Sequence, residues 1–336
     1  MSYIERLRPP SPFDLSAPAY KDWFHLNFAD PVSGAIGLVN TSLHGSPWDR
    51  RSLAMGTVLV HFPESGWQSH VENLPYSDAN LSPAAIALRD VALAIDNRSG
   101  TIHVSSTGQL NPFRARFRAD AVTTPIDFEQ EMPLGSQWIS WYLVPTMVVS
   151  GEWTVKNRRT ILEKLPAYHD HNWGRWHWGD DFGWEWGCFL RNANTRESPT
   201  LVFARTTDRA HRHLGSPFLI VDSVVTRRSF SPDTISLEFD GRLDLPLHRV
   251  PGAMAALHQE MSEPKLPKSV EIRAAQGIDR VEISFTARAA AQFVTADPSI
   301  RGYGFIHEIV GEYKSRGTVR NIGFETSGYG VFEYVM

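Results

Sequence analysis

The chain has 336 residues, of which 42% are apolar and 21% charged, enough apolar side chain for one large core or two ordinary ones. Its 33 Lys and Arg against 37 Asp and Glu give a net charge of −4, with no basic stripe to meet a nucleic-acid backbone. A single cysteine, Cys188, excludes an intramolecular disulfide and a multi-thiolate zinc site. The first residues lack a signal-peptide pattern and no apolar run approaches the ~18 residues of a membrane span, so a soluble, cytoplasmic protein is expected.

Along the chain the dominant period is two. Thr57–Phe62 is a continuous buried run. Pro83–Leu93 carries the first apolar spacing suited to a short helix, and Asp96-Asn-Arg-Ser-Gly100 follows as a turn. In Phe113–Ala119, Phe113, Ala115, Phe117 and Ala119 alternate with three arginines, the pattern of a half-buried strand. Arg191–Pro199 is polar and loop-like and is taken as the break between residues 1–190 and 191–336. Beyond it, Ile235–Phe239, Ser269–Arg273 and Val281–Phe285 alternate strictly, with turn signals at Ser231-Pro-Asp233, Asp240-Gly241 and Ser327-Gly328 and a second short helix over Ala253–Met261. The class expected is all-β, as two consecutive barrel or sandwich halves. No Gly-x-Gly-x-x-Gly follows a strand, and neither a phosphate loop nor Gly-x-Ser-x-Gly is present.

Eight of the 11 tryptophans fall between Trp138 and Trp186, around Tyr168-His-Asp-His-Asn-Trp-Gly174. If this motif is extended, Tyr168, Asp170 and Asn172 share one face, and His169, His171 and Trp173 the other. Trp184, Trp186 and Cys188 share a face with Glu185 opposite. A carboxyl group among indoles is desolvated, which favours its protonated form and suits it to general-acid chemistry. Indole faces stabilise positive charge and pack against flat apolar substrates. The same cluster also reads as a structural hub in which Asp, His and Asn satisfy buried backbone groups. A third reading takes His169, His171 and His177 as metal ligands, although no second cysteine or spaced carboxylate completes the set. The remaining histidines, His25 and His44 among them, read as surface or internally satisfied residues, and Cys188 as an inert buried thiol.

At these residues the chain resembles the carotenoid 1,2-hydratase (hydroxyneurosporene synthase) and AttH-like superfamily, with tocopherol cyclase and lipocalin-type Diels–Alderases as more distant relatives. Asp22–Phe28, Pro145 with Val149–Glu152, Phe305–Glu308 and Gly328–Glu333 resemble further strands of that group. The resemblance implies two lipocalin-like β domains, a pocket for a hydrophobic small molecule, and chemistry without an organic cofactor. It casts Asp170 and Tyr168 as proton donors. Where the hydratases carry an upstream His-x-Trp pair, Trp138–Pro145 has no histidine, which turns the expectation from water addition toward cyclisation or isomerisation. In this scheme His171 and Asn172 orient Asp170, and Trp141, Trp173, Trp176, Trp178, Trp184 and Trp186 shape the pocket. The expected activity is that of a cyclase or isomerase on a polyene, isoprenoid or polyketide. A hydratase or a non-catalytic carrier are the alternatives.

Overall fold

The alternating runs become strands throughout the computed structural model, which describes residues 5–336 except 12, 15–18, 108–112, 156, 193–194, 196, 251–264 and 297–301. The described residues form twenty-two strands and two short 3-10 turns, with no α-helix. No helix is long and apolar enough to cross a membrane.

Strands β1 (Tyr20–Ala29), β2 (Ile36–His44), β3 (Leu53–Phe62) and β4 (Gly66–Pro75) form an antiparallel meander. A second meander contains β5 (Asn80–Ser82), β6 (Ala85–Ala87), β7 (Val91–Asp96), β8 (Thr101–Ser106) and β9 (Phe113–Ala121). Strand β10 (Ile126–Leu134) pairs with the long β11 (Gln137–Val155), which also meets β9. Strand β12 (Arg158–Arg175) lies between β11 and β1 and so joins the two meanders into one twelve-stranded sheet.

The second sheet has ten strands. It runs through β13 (Gly183–Phe189), β14 (Thr200–Thr207), β15 (Phe218–Asp222), β16 (Arg227–Phe230) and β17 (Ile235–Arg242), then β18 (His248–Val250), β19 (Pro267–Gln276), β20 (Asp279–Ala296), β21 (Tyr303–Val319) and β22 (Ile322–Val335). Strand β22 returns to pair with β13, and the short β18 pairs with β20 in parallel, the one parallel pairing among the described residues.

Each sheet curls around its own apolar core. Phe24, Phe28, Phe117 and Trp153 belong to the first, and Phe189, Phe203, Phe285 and Phe332 to the second. A third cluster, containing Leu38, Tyr168, Trp176, Trp184 and Val331, lies where the sheets meet. Strands β1 and β12 therefore have buried residues on both faces over much of their length. Both-face burial normally selects uninterrupted apolar runs. The polar residues of β12 must instead find partners within the protein.

Strand β9 alternates as expected, with Phe113, Ala115, Phe117 and Ala119 inward and its arginines exposed. The helix expected over Pro83–Leu93 is instead the β6–β7 hairpin. Ile86, Val91 and Leu93 enter the first core, and Leu88 N–H closes the turn on the Val91 carbonyl. The run holds four Ala and two Leu against one Ile and one Val, so its helix propensity is overridden by pairing with β8 and by burial of Ile86, Val91 and Leu93. Ala253–Met261 lies outside the described residues. Ser327-Gly328 is no turn but the interior of β22, paired with Lys314 and Tyr313. Asp240-Gly241 is likewise inside β17, where Gly241 takes a left-handed conformation. The chain changes sheet between Arg175 and Gly183, one strand before the break expected after residue 190. The polar loop Arg191–Pro199 joins β13 to β14 within the second sheet, whereas the crossing segment is aromatic and largely buried and carries no linker composition.

Gly151 shows how tightly the first sheet is wound. The β11–β12 register shifts between Val149 and Gly151, and Gly151 has φ 150°. A Cβ there would lie 2.4 Å from the Arg116 carbonyl oxygen on β9. Gly151→Ala is expected to destabilise the protein by roughly 1–3 kcal/mol through this backbone clash. A urea titration of wild type and variant measures it, and coincident midpoints would mean that β9 gives way without cost.

Candidate active site

Two rows of side chains from the two sheets face one cavity of about 320 Å³. The first row crosses β2, β1 and β12 at Asn40, His25 and Asp170, which are direct cross-strand partners. The second crosses β13, β22 and β21 at Trp186, Glu333 and Glu308, likewise in register. Directly opposed side chains on neighbouring strands are in contact range, so each row is a continuous surface. The volume is at the small end of the ~300–1,000 Å³ usual for ligand pockets, room for one small molecule or one end of a longer one.

Asp170 is held by its own strand and by β11. Tyr168 Oη donates to Oδ2 at 2.7 Å, and Asn172 Nδ2 donates to Oδ1 at 2.6 Å. Residues two apart on a strand share a face, which makes Tyr-x-Asp-x-Asn a self-bracing unit. Trp141 Nε1 adds a longer bond to Oδ2 at 3.3 Å. Burial, and then the Asp170 charge, push the Tyr168 phenol well above its usual range, so it stays a donor. Asn172 Oδ1 is left without a partner.

Tryptophans build the remaining wall. Trp23, Trp141, Trp178, Trp184 and Trp186 line the cavity. Trp23 stacks on Trp184 at 6.3 Å, and Phe182 lies nearly parallel to Trp184 at 6.0 Å. His25 presents its ring edge-on to Trp186 and keeps an unpartnered Nε2. Burial lowers its pKa, opposed by Asp170, so the imidazole is neutral at neutral pH.

Four expectations need correction. His171 does not orient Asp170. It lies on the opposite face of β12, with Nε2 2.8 Å from Asp22 Oδ1, and Asn172, Tyr168 and Trp141 do the orienting. Trp173 points the same way as His171, under the Arg8 guanidinium and in the first core. Trp176 is fully buried behind the wall, edge-on to Trp23 and Trp178, and does not line the cavity. His25, read as an ordinary histidine, sits beside Asp170.

The His169–His171 pair is committed to structure. His169 Nε2 is 2.7 Å from Glu5 Oε1, and its Nδ1 is 2.7 Å from the His25 carbonyl oxygen. Burial lowers the His169 pKa, but the Glu5 carboxylate together with Asp170 and the His25 carbonyl outweighs it, and the net shift is upward. Among the described residues no group of three or more His, Cys, Asp or Glu side chains is placed to hold a metal ion. Cys188 is fully buried, and burial pushes its thiol well above the usual range, leaving it unreactive.

Glu308 and Glu333 had no assigned role in the sequence. Burial pushes Glu308 well up, and Glu333 from its ordinary 4.5 to about 7. The signal was a lone acid in each of two apolar strand segments, Phe305-Ile-His-Glu-Ile-Val310 and Val331-Phe-Glu-Tyr-Val335.

No protein-family model and no curated protein sequence matches this chain. Solved structures do. The AttH-like protein NE1406 of Nitrosomonas europaea superposes with a TM-score of 0.68 at 14% identity, over 98% of this chain and 99% of that one. This chain has the two-sheet AttH-like fold. Kievitone hydratase from Nectria haematococca follows at TM-score 0.63 and 12% identity, over 99% and 96% of the two chains. CghA gives 0.61 and 10%, over 95% and 88%, and has also been solved with Sch210972.

The raised Glu333 pKa has a consequence for stability. Between pH 4.5 and about 7 the folded chain keeps a proton that the unfolded chain has lost, so this group's contribution to stability falls as pH rises through that window. His25 and His307, the latter lowered to about 4, act in the opposite sense below pH 6.5. Comparing Glu333→Gln with wild type removes this carboxyl together with its charge on Glu308. The wild type is expected to lose on the order of a few kcal/mol more than the variant between pH 4.5 and 8, read from urea unfolding at each pH. Parallel pH profiles would show that Glu333 titrates normally.

Proposed function

We propose that this chain is an enzyme of the cyclase/isomerase or hydro-lyase type, acting on an apolar polyene, isoprenoid or polyketide by acid and hydrogen-bond catalysis. The observation that carries this reading is the pair of facing rows. A carboxyl braced by Tyr168, Asn172 and Trp141 looks across an indole-walled cavity at two further carboxyls, Glu308 buried and Glu333 half-buried. The indole faces of Trp184 and Trp186 suit a substrate on which positive charge develops. A preorganised carboxylate beside them stabilises that charge without first having to reorient. The walls hold the chain folded so that reacting carbons are neighbours, a large part of what a cyclisation requires. Kievitone hydratase, which shares the fold, carries a name from the second of these reaction classes.

Cyclisation is the first reading and hydration the second. Hydration is favoured by one observation: His25 is neutral, sits directly across from Asp170 and has a free Nε2 that could orient a water.

The test offers lycopene, geranylgeraniol and a linear polyenoate ester to the purified chain in ¹⁸O-water. A cyclase returns an isomer without label, and a hydratase returns a labelled product. Asp170→Asn is expected to lower turnover by about 10²–10⁴-fold while the fold survives. If every probe is returned unchanged but is bound, and Asp170→Asn alters affinity only modestly, the protein is a carrier and the enzymatic reading falls.

A further inference from the structure

Glu308 and Glu333 are direct partners on β21 and β22, and both face the cavity. Opposed side chains on neighbouring strands are in contact range, and the described lining offers no Lys or Arg to neutralise them. Two carboxyl groups held that close under apolar walls do not both ionise, so one of the pair keeps a proton. Asp170 is differently placed. Both of its oxygens accept bonds from side-chain donors, three in all. The cavity thus has a proton-holding end and, opposite it, a carboxyl whose oxygens are both occupied by donors.

The surroundings keep that division. Asp170 on β12 adds its negative charge to the burial of the pair. His25 on β1 is neutral. Among the described residues lining the cavity there is no Lys or Arg to draw the pair into double ionisation. On the strands flanking the pair, Glu185 and His307 are engaged elsewhere, Glu185 with Arg205 and His211, and His307 with Gln292 and the Tyr334 carbonyl. Trp184 Nε1 donates to Glu333 Oε1, which favours the ionised form of Glu333 after a proton leaves. Glu308 Oε2 is buried without a partner.

We propose that the Glu308–Glu333 pair is the proton source of the cavity, and that Asp170 opposite it stabilises the positive charge created on the substrate. This rests on the enzymatic reading above. In the step, an O–H bond of the pair breaks and leaves its electrons on the carboxylate. The π pair of an electron-rich substrate double bond forms the new C–H bond, and the adjacent carbon becomes cationic. A second double bond of the same molecule closes on that carbon. Loss of a neighbouring C–H proton to the carboxylate restores the pair and releases an isomer. In hydration, water bonds to the cation and its surplus proton returns to the pair. The substrate class is therefore narrowed to molecules with a basic, alkyl-substituted double bond that can reach the second sheet.

Infrared difference spectroscopy of the unliganded full chain tests where the proton resides. A protonated-carboxyl carbonyl band is expected at pH 7 in wild type and in Asp170→Asn, fading as pH rises. Glu333→Gln and Glu308→Gln should each shift the pH at which this band fades, and the double substitution should abolish it. Trp184→Phe keeps both glutamates but removes a donor to the ionised form, so its band should persist to higher pH. A band that survives the double substitution, that disappears in Asp170→Asn, or whose midpoint is unmoved in Trp184→Phe overturns the proposal.

Turnover separates this proposal from the broader one. If Asp170→Asn abolishes conversion of lycopene, geranylgeraniol or the polyenoate while both Gln variants retain it, the pair is not the proton source although the enzyme reading stands. If no probe is converted yet the band behaves as expected, the pair remains the acid of the cavity and the enzyme reading fails. In deuterium oxide, any converted probe should gain one deuterium at the protonated carbon, and Glu333→Gln should lower that conversion by about 10²–10⁴-fold.

Discussion

The architecture depends on burying both faces of β12. A strand enclosed by cores on either side ordinarily carries only apolar side chains, yet β12 carries five consecutive residues with polar side chains, Tyr168 to Asn172, all at most 3% exposed. Each unpaired polar group there would cost roughly 1–3 kcal/mol, so their partners organise the surroundings. On the first-core face, Glu5 from the N-terminal segment meets His169 and Asp22 from β1 meets His171. On the cavity face, Tyr168 and Asn172 turn toward Asp170. The N-terminal strap, the β1 pairing and the site geometry are three results of one desolvation constraint.

The second sheet is placed by a similar constraint at the other end of the interface. Asp222 on β15 accepts from Thr123 and Thr146 of the first half and pairs with Arg227 beside it. This buried clamp fixes the sheets relative to each other while the indoles fill the space between them. Indoles have large rigid faces and low side-chain entropy, so they hold two curved sheets apart without closing the gap as a branched aliphatic core would. Trp176 sits behind the wall and supports Trp23 and Trp178 edge-on. It matters to the cavity without touching it.

Period-two reading found the strands and also the division of faces across β12, because face assignment follows directly from extended geometry. It could not tell which face met a cavity. Trp173 and Trp178 are indoles five residues apart, but Trp173 lies on the His171 face of β12 while Trp178 lies past the end of the strand, where alternation no longer applies. His171, which the resemblance scheme places on Asp170, is its neighbour in sequence and therefore points to the opposite face, where it meets Asp22. Glu308 and Glu333 went unassigned because each is one acid in an apolar strand. Only the β21–β22 register, set by a hairpin whose turn lies at Val319–Ile322, makes them a pair.

The charge pattern of the cavity is the last element that fits together. Three carboxyl groups face a space in which the described lining has no Lys or Arg, and the only other titratable lining groups are histidines. In water such groups would ionise independently. Under indoles, burial first, and then neighbouring negative charge including the Asp170 anion, keeps a proton on the pair opposite. The same anion attracts positive charge appearing on a substrate between them. Giving up the proton then becomes easier just when the cation forms, because the new charge is flanked by Asp170 on one side and the newly ionised pair on the other. A site built this way favours a transition state with charge separated across the cavity over a neutral ground state, which is what catalysis by differential binding requires.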